Sequence, residues 1–195
     1  MIEDTQRADW RKAARRAMRE ATEQEIVRRY GSKDVSFNYR WEHVTSVVHL
    51  AKRLADMTGA DADVVEAAAW LHDIRKETRE RHALEGAEFA RRFLPQTDFP
   101  EDKIERVAHA IEAHMGLFRE EPLTDLEAMV LWDADKLAKI GLTAVFHWTG
   151  GSLAGFQPTT IQEIIDQSQV TDWQQKTVES MHTEPARRAA KVRLE

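Results

Sequence analysis

Apolar positions along this chain recur three and four residues apart, with charged and polar residues between them, and no stretch worth assigning to a strand alternates with a period of two. The pattern predicts an all-α chain. Residues 4–29 form a charged, Ala- and Arg-rich segment ending at Gly31, an amphipathic helix suited to packing on a bundle. Residues 32–40 read as a loop. Residues 41–57 place His43, Val47, Leu50, Ala51 and Leu54 on one face, and Gly59 follows as a C-terminal stop. Asp61 or Asp63 caps the next helix, whose face of Val64, Val65, Ala68 and Ala69 leads to His72. A helix over about 80–94 stops before Pro95, and Pro100 opens another that ends near Gly116. Thr124 and Glu127 have capping-box spacing, so a helix starts there and runs to about Ile140. A Gly-rich zone at 149–158 reads as a loop or lid. Shorter helices finish the chain, one capped by Thr160 with Glu163 and the last opened by Pro185 after Thr183.

Composition narrows the class. A chain of 195 residues, 42% hydrophobic and 32% charged, suits one globular domain with a core of useful size. The net charge of −6 argues against a surface that coats nucleic acid, so no nucleic-acid partner is expected. It leaves small anionic substrates open, because a metal ion and a few basic residues can dominate a pocket. Zero cysteines excludes a disulfide framework and any thiolate ligand. No apolar run reaches the ~18 residues of a membrane span, and the first residues lack the basic and apolar regions of a secretion signal. The expectation is a cytoplasmic protein without membrane contact. The charged first helix offers a surface for a homodimer, which nothing in the sequence demands.

The candidate chemistry lies in the order His43, then His72-Asp73, then Asp135 within Trp132-Asp133-Ala134-Asp135-Lys136, each in a stretch that reads as helix. Such an order suits side chains from several helices converging on one metal ion in a bundle core. Imidazole and carboxylate together suit a borderline divalent metal. Asp133 and Asp135 point about 200° apart on a helix, and helix phase does not choose between them, since both flanking rows are apolar. His82 shares a face with Gly86, Phe89 and Phe93, and His114 ends the inward row Ile104, Val107, Ala108 and Ile111, whereas His109 falls outside it. Arg40, Lys76 and Lys136 stand beside these residues and are of the types that contact phosphate. His49, His147 and His182 have no nameable partner, and Trp41, Trp70, Trp132, Phe146 and Trp148 read as core.

Three of these words resemble the HD-domain superfamily of metal-dependent phosphohydrolases. Arg40-Trp41-Glu42-His43 resembles its R-x-x-H, and Leu71-His72-Asp73-Ile74-Arg75-Lys76 its L-H-D-I-x-K. Asp133-Ala134-Asp135-Lys136-Leu137, followed by Ile140-Gly141, resembles the D-A-D-[KR]-L of small bacterial members. The resemblance covers residues 36–142. It implies a single HD-like helical bundle over 1–195 with the metal site in its core: an N-terminal helix at 1–31, the HD core at 36–142, and C-terminal helices at 143–195 packed on that core.

The resemblance also implies a divalent ion, with Mn, Fe, Zn, Mg, Ni and Co undistinguished, held by His43, His72, Asp73 and Asp135. Asp133 would orient a ligand or a water, or be solvated. His82-Ala83-Leu84-Glu85-Gly86-Ala87 and Ala110-Ile111-Glu112-Ala113-His114 resemble words that bind a second metal in some subgroups and serve substrate or proton transfer in others. One or two ions per chain are therefore expected. His72, Asp73, His82, His114 and Lys76 would be catalytic, and Arg40, Lys76 and Lys136 would bind phosphate. Arg75 and Met115 depart from the common pattern, which puts pocket width and subgroup in doubt. The implied activity is hydrolysis of a nucleotide or related phosphate ester or anhydride by metal-activated water. The alternatives are a di-iron HD-type oxygenase and a non-catalytic nucleotide-sensing module.

Overall fold

The protein is described by a computed structural model covering residues 7–35, 37–146, 160, 162–163, 166 and 172–194. The Gly-rich zone at 149–158, His147 and Trp148 lie outside the described residues. The described residues are helical, joined by turns and short 3₁₀ segments, with one isolated parallel bridge between Ala8 and Thr97.

Helix α1 (Trp10–Tyr30) begins later than its polar pattern suggested. Its approach is pinned instead: Asp98 N–H donates to the Ala8 carbonyl (3.0 Å), and Trp10 N–H donates to the Asp98 carboxylate (2.7 Å). Asp9 then caps the helix by accepting from Lys12 N–H. Helix α2 (Tyr39–Thr58) is capped by Asn38, which accepts from Trp41 N–H, so the loop before it is shorter than expected. Gly31 and Gly59 end α1 and α2 in the left-handed region (φ 74° and 75°), where a side chain would be strained.

Asp61, rather than Asp63, caps α3 (Ala62–Leu71). Every residue of α3 from Val64 to Leu71 is buried, and its small Ala67-Ala68-Ala69 run lets neighbours approach. It packs against α2, α5 (Ile104–Ala113), α6 (Leu126–Leu137) and α1, while α4 (His82–Phe93) lies mainly on α5. Helix α7 (Trp173–Glu179) packs on α8 (Glu184–Leu194), which closes over α6 and α2, with the Arg193 guanidinium donating to the Leu137 carbonyl at the end of α6.

The expected Thr124–Glu127 capping box at α6 does not form. Asp125 caps the helix by accepting from Ala128 N–H (2.9 Å). Glu127 is drawn away to Arg106 (2.6 Å) and to the Asp61 amide (3.2 Å), so it is not available to reach back. Helix α6 also ends at Leu137, short of Ile140. The box at Thr160 and Glu163 does form, each side chain accepting from the other's backbone N–H (3.2 and 2.7 Å).

Candidate metal centre

Helix ends and faces bring six side chains together. His43 projects from the second turn of α2, His72 is the C-cap of α3, and Asp73 follows in the turn. His82 opens α4, His114 is the C-cap of α5, and Asp135 lies in the last turn of α6. All six are buried. Gly86 makes room for this meeting, since a Cβ there would press on Ile111 Cγ2 at 3.3 Å and on the Leu71 and His72 carbonyls at 3.5 Å.

The donors fall into two sets of three, His43–His72–Asp135 and Asp73–His82–His114, with the ligand atoms of each set within 4.8 Å of one another. Asp73 joins the sets. Its Oδ1 lies 3.4 Å from His82 Nε2 and 3.8 Å from His114 Nε2. Its Oδ2 lies 3.9 Å from His43 Nε2 and 3.8 Å from His72 Nε2. Asp135 Oδ1 faces His43 Nε2 at 3.1 Å and His72 Nε2 at 3.9 Å.

Tautomers support a cation between these groups. His72 Nδ1–H donates to the Ala69 carbonyl (2.8 Å), and His114 Nδ1–H to the Ile111 carbonyl (2.5 Å). His82 Nδ1–H donates to the carbonyl of Arg79, a residue held at φ 55° and ψ −114°. A carbonyl only accepts, so in the neutral rings each Nε2 carries a lone pair that points inward. His72 Nε2 is buried without a hydrogen-bond partner among the described residues. His82 and His114 bring two such nitrogens within 3.2 Å, an arrangement that a shared cation resolves. The donor set fits one or two divalent ions of borderline softness.

Protonation states agree. Burial pushes His43 down to about 4 and His72 to about 3, against nearby carboxylates that would raise them. Burial, with Lys76 beside it, pushes His82 to about 4, which favours a ligand lone pair over a general acid at neutral pH. Burial would raise Asp73, but Arg40, His72, His114 and Lys76 together hold it well below the usual carboxylate range. Lys136, Lys139 and His43 do the same for Asp135 against its burial.

The expected basic residues sit close in. Arg40 Nη1 donates to Asp73 Oδ2 (2.6 Å), and Lys76 Nζ contacts Asp73 Oδ1 (3.0 Å) and His82 Nε2 (3.1 Å). Lys136, expected among the phosphate contacts, is enclosed. It is 1% exposed, donates to Asp135 Oδ2 (2.5 Å) and the His114 carbonyl (2.9 Å), and lies over the Trp132 ring at 4.1 Å. Burial pushes its ammonium down to about 8 despite Asp135. Arg75 turns to the Phe89 ring (5.2 Å) and Glu77 (3.5 Å).

Asp133 is neither solvated nor aimed at the metal donors. It is fully buried and accepts from His182 N–H (2.8 Å), Thr183 N–H (2.7 Å) and Thr183 Oγ1 (2.7 Å), tying the start of α8 to α6. His182 therefore has partners that its sequence context did not name, and its Nε2 also accepts from Leu123 N–H (2.9 Å). Phe146 is 67% exposed rather than core, whereas Trp70 and Trp132 are buried, and His49 and His109 face solvent. Sequence reasoning missed Lys139, whose Nζ lies 2.7 Å from Asp135 Oδ1. Its position four residues after Asp135 on one helical face was the available signal.

The HD domain family model matches residues 40–140. Ribonuclease Y of Thermobifida fusca is 36% identical over 100 residues, which are 49% of this chain and 18% of that protein. A tRNA (cytidine(56)-2'-O)-methyltransferase of Thermoplasma volcanium is 35% identical over 94 residues, 47% of this chain and 24% of that protein. The chain thus spans under a quarter of the length of these curated relatives. Among solved structures, a predicted HD superfamily hydrolase from an uncultured Thermotogales bacterium superposes with a TM-score of 0.63 at 24% identity, covering 93% of this chain and 83% of that one. Bacillus subtilis YpgQ in complex with ADP superposes with a TM-score of 0.56 at 24% identity, covering 78% and 80%. These structural likenesses concern the fold.

Proposed function

This chain belongs to the HD domain family, and from that premise we propose that it is a metal-dependent phosphohydrolase acting on a nucleotide or a related phosphate ester or anhydride. The observation that carries the proposal is the placement of Asp73, which faces His82 and His114 of its own donor set through Oδ1 and turns Oδ2 towards His43 and His72 of the other. His43, His72 and Asp135 would hold one divalent ion, and His82 and His114 a second, with Asp73 between them. A bound dication supplies a Lewis acid for a phosphoryl oxygen and lowers the pKa of a bound water towards neutrality.

The chain's own residues do the rest. The backbone carbonyls of Ala69, Arg79 and Ile111 fix three imidazoles with Nε2 inward. Burial keeps His43, His72 and His82 neutral, so the donors need not lose protons first. Lys76, with its side chain 29% exposed, is placed to offset charge building on a phosphoryl group that enters from solvent. A nucleotide substrate is supported by the likeness in fold to YpgQ, which was crystallised with ADP.

A second reading, cleavage of an RNA phosphodiester, is favoured by the 36% identity to ribonuclease Y across the shared segment. The net charge of −6 weighs against it. Phosphate release from nucleoside mono-, di- and triphosphates, beside cleavage of a short RNA, separates the two when each divalent metal is supplied in turn. The proposal predicts release from a nucleotide that chelator and Asp135→Ala both abolish. Cleavage confined to RNA would establish the second reading, and absence of metal-dependent hydrolysis of any phosphate would remove both.

A further inference from the structure

Asp135 is met by two lysines, and they are held differently. Lys136 is anchored: its ammonium has a second acceptor in the His114 carbonyl, and its side chain is 1% exposed. Lys139 is not. Its side chain is 23% exposed, and its ammonium donates to Asp135 Oδ2 at 2.9 Å and lies 2.7 Å from Oδ1, an ion-pair contact to an atom that accepts no hydrogen bond among the described residues. Oδ1 is the same atom that faces His43 Nε2 at 3.1 Å and His72 Nε2 at 3.9 Å. The Lys139 ammonium therefore sits on the oxygen that the His43–His72–Asp135 set offers to a cation.

An ammonium and a divalent ion on one carboxylate oxygen repel each other, and little solvent is present to screen them. The lysine has somewhere to go. It has a flexible four-carbon stem, a strongly hydrated head and no second anchor. Its side chain is 23% exposed, so an ammonium that leaves Asp135 can reach solvent.

We propose that Lys139 is a resident cation on Asp135 that competes with the metal ion and, once displaced, becomes a contact for the substrate phosphate. This rests on the metal-centre and phosphohydrolase reading above. It assigns Lys139 two opposed effects, weakening metal binding and strengthening anion binding. A lysine that merely propped Asp135 in place would do neither, since its loss would loosen the ligand and weaken the metal.

The test uses the full chain and two binding probes. Mn2+ affinity is measured by competition with a chelator for the wild type, Lys139→Gln and Lys139→Arg. Inorganic phosphate is then titrated calorimetrically into the Mn2+-loaded proteins, with circular dichroism and thermal melting to verify folding. The expected result is that Lys139→Gln binds Mn2+ roughly tenfold more tightly, as the loss of one like charge beside a cation implies. The same variant should bind phosphate several-fold more weakly, while Lys139→Arg stays near the wild type for phosphate. A folded Lys139→Gln with equal or weaker Mn2+ affinity would overturn the competition, and unchanged phosphate affinity would overturn the contact. Tighter Mn2+ and weaker phosphate in a protein that hydrolyses no phosphate substrate would uphold the role of Lys139 and sink the activity. Failure of the wild type to take up Mn2+ would sink both.

Discussion

Asp73 turns Oδ1 towards His82 Nε2 at 3.4 Å, while its other oxygen faces the histidines of a different helix pair. One carboxylate thus stands between two donor sets, the geometry of a bridging ligand. With Mn2+ in excess, the protein should bind close to two ions per chain, and their proximity should appear as a coupled signal in electron paramagnetic resonance. His82→Ala should reduce the count to about one and abolish the coupling, because His43, His72 and Asp135 are untouched. Saturation of the wild type at one ion, unchanged by His82→Ala, would restrict His82 and His114 to another role.

Asp133 is bonded across to the C-terminal segment, so its loss should be felt in stability and not in metal content. Asp133→Ala leaves the backbone N–H groups of His182 and Thr183 without their acceptor. The expected cost is about 2–4 kcal/mol in urea unfolding. The variant should retain the metal content of the wild type, whereas Asp135→Ala should lose metal. Metal loss in Asp133→Ala at unchanged stability would reverse the roles of the two aspartates.

The metal-free protein should be acid-labile at mild pH. His43, His72 and His82 titrate at about 4, 3 and 4 in the folded protein, against 6.5 when exposed. Below 6.5 the unfolded chain therefore takes up protons that the folded chain does not, and stability falls with pH until each folded value is passed. Each buried histidine contributes a slope of up to about 1.4 kcal/mol per pH unit in that window. Asp73 and Asp135, held below 3.8, add their loss only at lower pH. Urea midpoints in chelator, compared at neutral and mildly acid pH, should drop steadily. A midpoint that stays flat down to pH 5 would mean the histidines are not held neutral.

Arg79 occupies φ 55°, a conformation costly for any residue with a Cβ, and its side chain is exposed. Its carbonyl nevertheless fixes His82. Arg79→Gly should keep the carbonyl in place and raise stability by up to about 1 kcal/mol, relief of strain being partly offset by the entropy of glycine. A loss of stability in urea unfolding would show that the arginine side chain supports the turn.

Helix periods, caps and the three His- and Asp-containing words lay open in the sequence because they are local. His43, His72, Asp73 and Asp135 each sit at an inward position of a helix or beside its end; order and period grouped the histidines with the acidic words, and only the resemblance to HD domains chose Asp135 over Asp133. Long-range pairing was not readable. Asp133 bonds to residues 49 and 50 positions away, and nothing in its neighbourhood names Thr183. The Thr124–Glu127 spacing misled for a similar reason, since Arg106 and Asp61 from other helices claimed the glutamate. Lys136 stands beside Asp135 in sequence, but only the packing of α5 on α6 buries it under the His114 carbonyl. The register of α1 depended on Asp98, far along the chain.

Elemental analysis of the protein purified without added metal, beside Asp73→Ala and Asp135→Ala, tests the central claim most directly. One or two divalent ions per chain in the wild type, lost or sharply reduced in both variants, is the predicted result. A wild type that is metal-free and cannot be loaded, or an Asp135→Ala variant that keeps its full complement, would contradict the assignment of this buried cluster as a metal centre, and with it the hydrolytic role built upon it.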